Sequence, residues 1–238
     1  MSHINLNKTI LSKQLLSHEQ CQALVSRIIS LKHLWLKHPV YVKTFTIGVP
    51  ICSYTFLDYN KYQQLYIHYN NVLDTYFQDI KDIICSFVKE IFPRYNVKYS
   101  TKHGNPGFHI MYSSDNYTEV VHRDKQYKNV FNTKDNTYND KVTFSFTLSL
   151  STSNENSGLY EYDNNLSDEY MAKKIRPDRD ILDKLKPRII KYKPGFIYFH
   201  SGNIPHSIVR FENNASPRIT LQGHGILEEN TNSMYLYF

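Results

Sequence analysis

Residues 118–124 read Thr-Glu-Val-Val-His-Arg-Asp, and residues 193–220 read Lys-Pro-Gly-Phe-Ile-Tyr-Phe-His-Ser-Gly-Asn-Ile-Pro-His-Ser-Ile-Val-Arg-Phe-Glu-Asn-Asn-Ala-Ser-Pro-Arg-Ile-Thr. In the first stretch the β-branched run Thr118–His122 predicts a strand. Side chains alternate along a strand, so His122 and Asp124 fall on the same side. The second stretch is a turn at Lys193-Pro194-Gly195, a buried strand, a second turn and then His206 opening another strand. Pro217 precedes a further strand with Arg218 and Thr220 at i and i+2, again on one face.

The same period-two pattern extends outward from about residue 95. It marks Tyr95–Tyr99, Phe108–Tyr112, Val142–Leu150, Gly158–Tyr162, Ile189–Tyr192, Phe196–Phe199, His206–Phe211, Ile219–Gly223 and Met234–Phe238. Many short strands separated by turn residues predict a β-sandwich or small barrel. The polar, Asn-rich stretch 125–141 and the charged stretch 166–187 interrupt it, and each reads either as surface loop or as active-site lid. Ser167, followed by Asp168 and Glu169, reads as a helix start. Upstream, Ser17-His18-Glu19-Gln20 is a capping box ahead of apolar residues at helical spacing. A second helix is expected over 71–92, stopped by Pro93. Between these helices, Tyr41–Phe56 reads as strands broken at Gly48–Pro50. The expected fold is mainly β with N-terminal helices (α+β). One domain spans 1–238: 1–94 is support, and 95–238 is a core with an insert at 163–188.

Composition bounds the function classes. The chain has 238 residues, 41% hydrophobic and 14% aromatic, enough apolar surface to exclude disorder, and 8 Gly with 9 Pro exclude collagen-like sequence. Lys+Arg 28 against Asp+Glu 22 gives a formal charge of +6, a modest excess that admits a nucleic-acid partner without requiring one. Cys21, Cys52 and Cys85 are an odd number, far apart, and suggest neither a disulfide framework nor a thiolate zinc site. No secretory signal or membrane span is expected, which points to a cytoplasmic protein.

His-x-Asp alone is a weak motif: the composition gives about 0.6 chance occurrences. Its context makes it informative. Two imidazoles and one carboxylate on one side of a barrel form the facial triad that holds non-heme Fe(II) with open positions. An Arg fork with a neighbouring hydroxyl is the chemistry that grips a carboxylate. The whole pattern over roughly residues 95–227 resembles the Fe(II)/2-oxoglutarate-dependent oxygenase superfamily, prolyl- and lysyl-hydroxylase-like. That likeness adds the Gly158-Leu-Tyr turn and strand and the Pro-Gly turn before the distal His. It implies a distorted double-stranded β-helix (jelly-roll) core buttressed by helices. It also implies His122, Asp124 and His206 as iron ligands and catalytic centre, Arg218 and Thr220 on the distal carboxylate of 2-oxoglutarate, and Tyr112 as a further co-substrate contact. O2 would be consumed and ascorbate could stimulate.

His200 rivals His206 as third ligand. His206 is preferred because it follows the turn directly and precedes Arg218 by the family's spacing. His103, His109 and His224 read as structural, ligand-supporting or substrate-side, and Arg123 as structural. The implied activity is hydroxylation of an unactivated C–H bond of a peptidyl residue or small metabolite, releasing succinate and CO2. Two alternatives stand beside it: a nucleic-acid oxidative demethylase of the same superfamily, and a non-catalytic jelly-roll module whose triad holds zinc. The demethylase reading wants a second Arg six residues after the first, where this chain has His224. The retained Arg218 and Thr220 speak against the non-catalytic module.

Overall fold

The computed structural model describes residues 11–113, 121–129, 131, 137–152, 157–163, 166, 186–209, 211 and 216–238. Its elements, in chain order, are β1 (Leu11–Gln14), α1 (His18–Ser30), β2 (Leu36–Lys37), β3 (Thr44–Ile47), α2 (Tyr59–Ile91), β4 (Asn96–Tyr99) and β5 (Gly107–Met111). They continue as β6 (Tyr138–Ser151), β7 (Gly158–Glu161), β8 (Arg188–Lys191), β9 (Phe196–Ser201), β10 (His206–Ile208), β11 (Arg218–Glu228) and β12 (Ser233–Tyr237).

Alternation in β6 and β11 dictates the layering. In β6, Phe144, Phe146, Leu148 and Leu150 join the main apolar core, while Thr143, Ser145, Thr147 and Ser149 are buried on the opposite face. In β11, Ile219 and Leu221 take the apolar side; Arg218, Thr220, Gln222 and His224 take the other. One face of the sheet is therefore oil and the other is polar yet buried. The apolar face is covered by α1 and α2, whose Cys21, Leu24, Ile28, Phe77, Ile80 and Ile84 belong to the same core. Phe77 packs on Phe108, Phe87 on Phe199, and Phe92 stacks on Phe144. These phenylalanines thus form a layer of rings between sheet and helices.

The large sheet has nine strands in the order β1-β9-β6-β11-β5-β3-β2, with β12 joined to β11 and β4 to β12. β11 is long enough to serve two partners on one side, β5 along its first half and β12 along its second, while β6 follows its other side. A three-stranded antiparallel sheet, β10-β7-β8, lies apart from it. Among the described residues the fold is mainly β with two α-helices, in line with the expected mainly-β class. Gly223 and Gly225 sit opposite Phe146 and Phe144 in register. A Cβ at Gly225 would lie 2.0 Å from the Phe144 ring, so only glycine lets that ring cross the strand.

Several boundaries differ from the sequence expectation. The capping box at Ser17 forms, with Gln20 N–H donating to the Ser17 hydroxyl and the Gln20 side chain accepting from Ser17 N–H. The second helix starts at Tyr59 rather than near 71, with Asp58 accepting from Lys61 N–H at 2.9 Å. Its extra turns bury Tyr62, Tyr66 and Tyr69, so tyrosine supplies the apolar stripe there. Phe77 breaks the helix geometry inside it, with φ −139 and ψ 22. Within 41–56 only β3 is a strand. After Pro50 the chain turns into a 3-10 helix, Ile51–Thr55, tied to the C-terminus by Ile51 N–H donating to the Phe238 carbonyl at 2.6 Å. The strand β1 was not anticipated. It pairs with β9, and the following Leu15 and Leu16 N–H groups donate to the carbonyl of Gly195, whose φ of +85 requires glycine. The expected strand residues 118–120 and the helix start at Ser167 lie outside the described residues, as does most of 166–187. Among the described residues, no helix is long and apolar enough to cross a membrane.

Candidate metal and co-substrate site

His122 and His206 meet through their backbones. Each N–H donates to the other's carbonyl at 2.9 Å, an isolated antiparallel bridge that sets the side chains next to each other. The rings lie 4.4 Å apart. Asp124 follows two residues on, its N–H donating to the Gly202 carbonyl at 2.9 Å, so the turn before His206 also seats the carboxylate. Downstream, Tyr127 and Phe131 bury with Ile51, Ile226 and Tyr237 in a small apolar cluster that anchors this segment to the sheet. Arg123 points away from the site. It donates to the Asn203 carbonyl at 2.8 Å and to the Leu166 carbonyl at 2.7 Å, the structural role expected of it.

Asp124 Oδ1 lies 3.8 Å from His122 Nε2, and Oδ2 lies 3.5 Å from His206 Nε2. Ligand atoms of the three residues all fall within 4.8 Å of one another, the spacing of groups able to hold one metal ion. His206 Nδ1 lies 2.9 Å from the Ile204 carbonyl, an acceptor only, so Nδ1 carries the hydrogen and Nε2 keeps its lone pair. Burial pushes the His206 imidazole down to about 3, the neutral form a ligand needs. Burial acts to raise the Asp124 carboxyl, but His206, His224, His122 and His200 outweigh it and the net shift is downward. His200 is buried with its ring 5.0 Å from His206, and its Nδ1 lies 2.9 Å from the Ser201 carbonyl. Among the described residues the metal-capable group contains His206, not His200.

Arg218 is 1% exposed and stands on the same polar sheet face. Tyr192 lies under its guanidinium at 4.9 Å, and Nη1 reaches the Gly158 carbonyl at 3.4 Å, while Nε and Nη2 are buried without a hydrogen-bond partner. Thr220 Oγ1, Ser149 Oγ, His109 Nε2 and Thr44 Oγ1 are likewise buried without one. Register brings these groups together: Thr44 faces Met111, which faces Arg218, and His109 faces Thr220, which faces Ser149. Buried polar atoms are seldom left unpaired, so such a cluster marks where a polar ligand completes the structure. A fork of free N–H donors beside hydroxyls fits a carboxylate. Burial lowers the Arg218 pKa, yet an Arg remains charged at neutral pH.

Tyr112 does not join them. Alternation in β5 points His109 and Met111 to the cavity and Phe108 and Ile110 to the core, and Tyr112 follows the core side. Its ring meets Phe45 edge-on at 6.4 Å. The co-substrate contact that the likeness implied for Tyr112 thus falls on a residue facing away from the cavity. The triad and Arg218 open on one cavity of about 150 Å³ between the two sheets. Its outer wall comes from His38, Tyr41, Ile51 and Cys52 of the N-terminal segment. Sequence reasoning missed Tyr192 and Ser145. The alternation Phe-Ser-Phe-Thr-Leu-Ser over 144–149 carried the signal for Ser145, as a polar face too well kept to be solvent-facing in a central strand.

No family model matches the chain, and no curated protein does. Solved structures do share its fold. A novel N-substituted L-amino acid dioxygenase from Burkholderia ambifaria, in complex with α-ketoglutarate, superposes with a TM-score of 0.58 at 12% identity, covering 96% of this chain and 86% of that one. A second structure of a dioxygenase so described, from the same organism, gives 0.54 at 14% identity over 80% of this chain and 76% of that one. The chain shares the fold of that amino acid dioxygenase.

Proposed function

We propose that the chain is an Fe(II)- and 2-oxoglutarate-dependent dioxygenase that hydroxylates an unactivated C–H bond of a peptidyl residue or small metabolite. The observation that carries this is the shared cavity: the His122–Asp124–His206 triad and the buried, half-unpaired Arg218 open on the same space. Three protein ligands leave coordination positions free. Iron supplies the oxidising chemistry when bound, with O2 and 2-oxoglutarate consumed and succinate and CO2 released. The chain's residues do the rest. His122, Asp124 and His206 hold the ion, Arg218 and Thr220 anchor the far carboxylate, and the two sheets shield the space from bulk water. The unit at work is the whole chain, 1–238, because α1 and α2 share one core with the cavity-bearing sheet. A cytoplasmic location belongs to the same proposal, in keeping with an odd number of cysteines far apart in sequence.

A screen tests it: succinate release by the Fe(II)-loaded chain over peptides, free amino acids, metabolites and oligonucleotides. Peptide or small-molecule stimulation supports the reading, whereas turnover coupled to salt-sensitive oligonucleotide binding would transfer it to nucleic acid. Arg218→Met is expected to weaken 2-oxoglutarate binding roughly tenfold to a hundredfold, as for a lost hydrogen bond to a charged group. Iron affinity should not change. Retained co-substrate affinity would move the clamp elsewhere, for instance to Lys191 or Lys193.

A further inference from the structure

Asp124 sits on irregular backbone between an isolated bridge and a short 3-10 turn, whereas the residues beneath it belong to the central strands of the large sheet. Register lines up His200 on β9, Ser145 on β6, His224 on β11 and Tyr237 on β12 as one row across the sheet. Ser145 Oγ donates to Asp124 Oδ2 at 2.6 Å and lies 2.9 Å from His224 Nδ1. The direct separation of His224 Nδ1 from Oδ2 is 3.9 Å, too long for a hydrogen bond, so the serine links them.

The donor count fixes the direction of the chain. An ionised carboxylate only accepts, and a serine has one hydrogen, which Asp124 takes. Toward His224 the hydroxyl oxygen must then accept, so His224 Nδ1 carries the hydrogen. The sequence of bonds is His224 Nδ1–H to Ser145 Oγ–H to Asp124 Oδ2.

We propose that Ser145, supported by His224, is a positioning residue that holds Asp124 to one-oxygen metal ligation by occupying Oδ2 and leaving Oδ1 to the ion. The inference rests on the metal reading above. A carboxylate that ligates through both oxygens takes two coordination positions. Held to one oxygen and joined by two imidazoles, it leaves three positions of an octahedral ion open. The strand row supplies a regular, hydrogen-bonded base beneath the irregular backbone of Asp124.

The test uses the full chain with Co(II) as the probe, reading affinity by calorimetry and coordination by the visible absorption of the bound ion. Ser145→Ala is expected to weaken Co(II) about tenfold to a hundredfold and to change the absorption spectrum, as loss of a partner behind a ligand does elsewhere. Ser145→Thr, which keeps the hydroxyl, should restore both. His224→Phe should produce a smaller loss, and Ser145→Ala with His224→Phe together should match Ser145→Ala alone, because the imidazole acts through the hydroxyl. Thermal melts of the metal-free variants establish that each is folded, and His224→Phe carries the test if Ser145→Ala is not. Wild-type affinity and spectrum in Ser145→Ala, or additive losses in the double variant, overturn the relay. If His122→Ala also binds Co(II) normally, the metal reading fails and the relay with it. If His122→Ala abolishes binding while Ser145→Ala is silent, only the relay fails.

Discussion

Thr220 shows how a residue can cost stability in one state and supply affinity in another. Its Oγ1 is buried without a partner, on the face and strand of Arg218. A buried hydroxyl that bonds nothing carries a desolvation penalty of about 1–3 kcal/mol. Thr220→Val keeps the shape and removes that penalty. The ligand-free protein should therefore melt at a higher temperature, while its 2-oxoglutarate affinity falls several-fold. Calorimetric melts and titrations on one preparation check both signs, and a variant that loses stability without losing affinity would remove Thr220 from the carboxylate cradle. The grouping of these residues was legible in the sequence because it depends on residue type and spacing. His122, Asp124, His206, Arg218 and Thr220 were picked out by residue type, by spacing and by the likeness they carry, and the first four open on one cavity. Tyr112 came from the likeness, and a likeness in sequence does not reveal which face a strand residue takes.

At the scale of the element, β11 carries the site on one face and an aromatic seam on the other. Gly223 and Gly225 are what make the seam thin enough, since the Phe146 and Phe144 rings lie over them. Gly225→Ala forces a methyl into the Phe144 ring, and overpacking of this sort costs about 1–3 kcal/mol. Pairing it with Phe144→Leu should recover part of that loss. Urea unfolding of the two single variants and the double variant measures the coupling, and an equal loss in Gly225→Ala with and without Phe144→Leu would mean that the ring is not the obstacle. The strands of this sheet were legible from period-two alternation, from Phe108–Tyr112 to Met234–Phe238. Other elements were not. β1 is only Leu11–Gln14, largely exposed, and is defined by its pairing with β9 rather than by its own pattern. The first turns of α2 were hidden because Tyr62, Tyr66 and Tyr69 provide the buried stripe, and tyrosine favours strands as readily as helices.

The whole molecule keeps neutral imidazoles in its interior, and acid should unfold it for that reason. His103 is buried against Phe131, with ring centroids 4.4 Å apart, and burial pushes its imidazole down to about 4. The unfolded chain protonates this residue near pH 6.5, the folded chain only near 4. Its contribution to stability is therefore complete above pH 6.5 and is lost as the pH falls through that window, up to roughly 3 kcal/mol at its lower end. His103→Phe keeps the ring packing and removes the proton uptake, so its urea midpoint should change less between pH 7 and pH 4.5 than that of the wild type. Equal pH dependence in the two proteins would place the acid sensitivity at other groups.

The joining of triad and clamp in one cavity is the centre of this account, and one assay addresses it directly. Purified chain is mixed with Fe(II), 2-oxoglutarate, ascorbate and air, and succinate is followed against a blank without protein. Slow, Fe(II)-dependent succinate formation is expected, abolished by His206→Ala and reduced by Arg218→Met at limiting 2-oxoglutarate. Succinate at the level of the blank, or undiminished formation by His206→Ala, would contradict it.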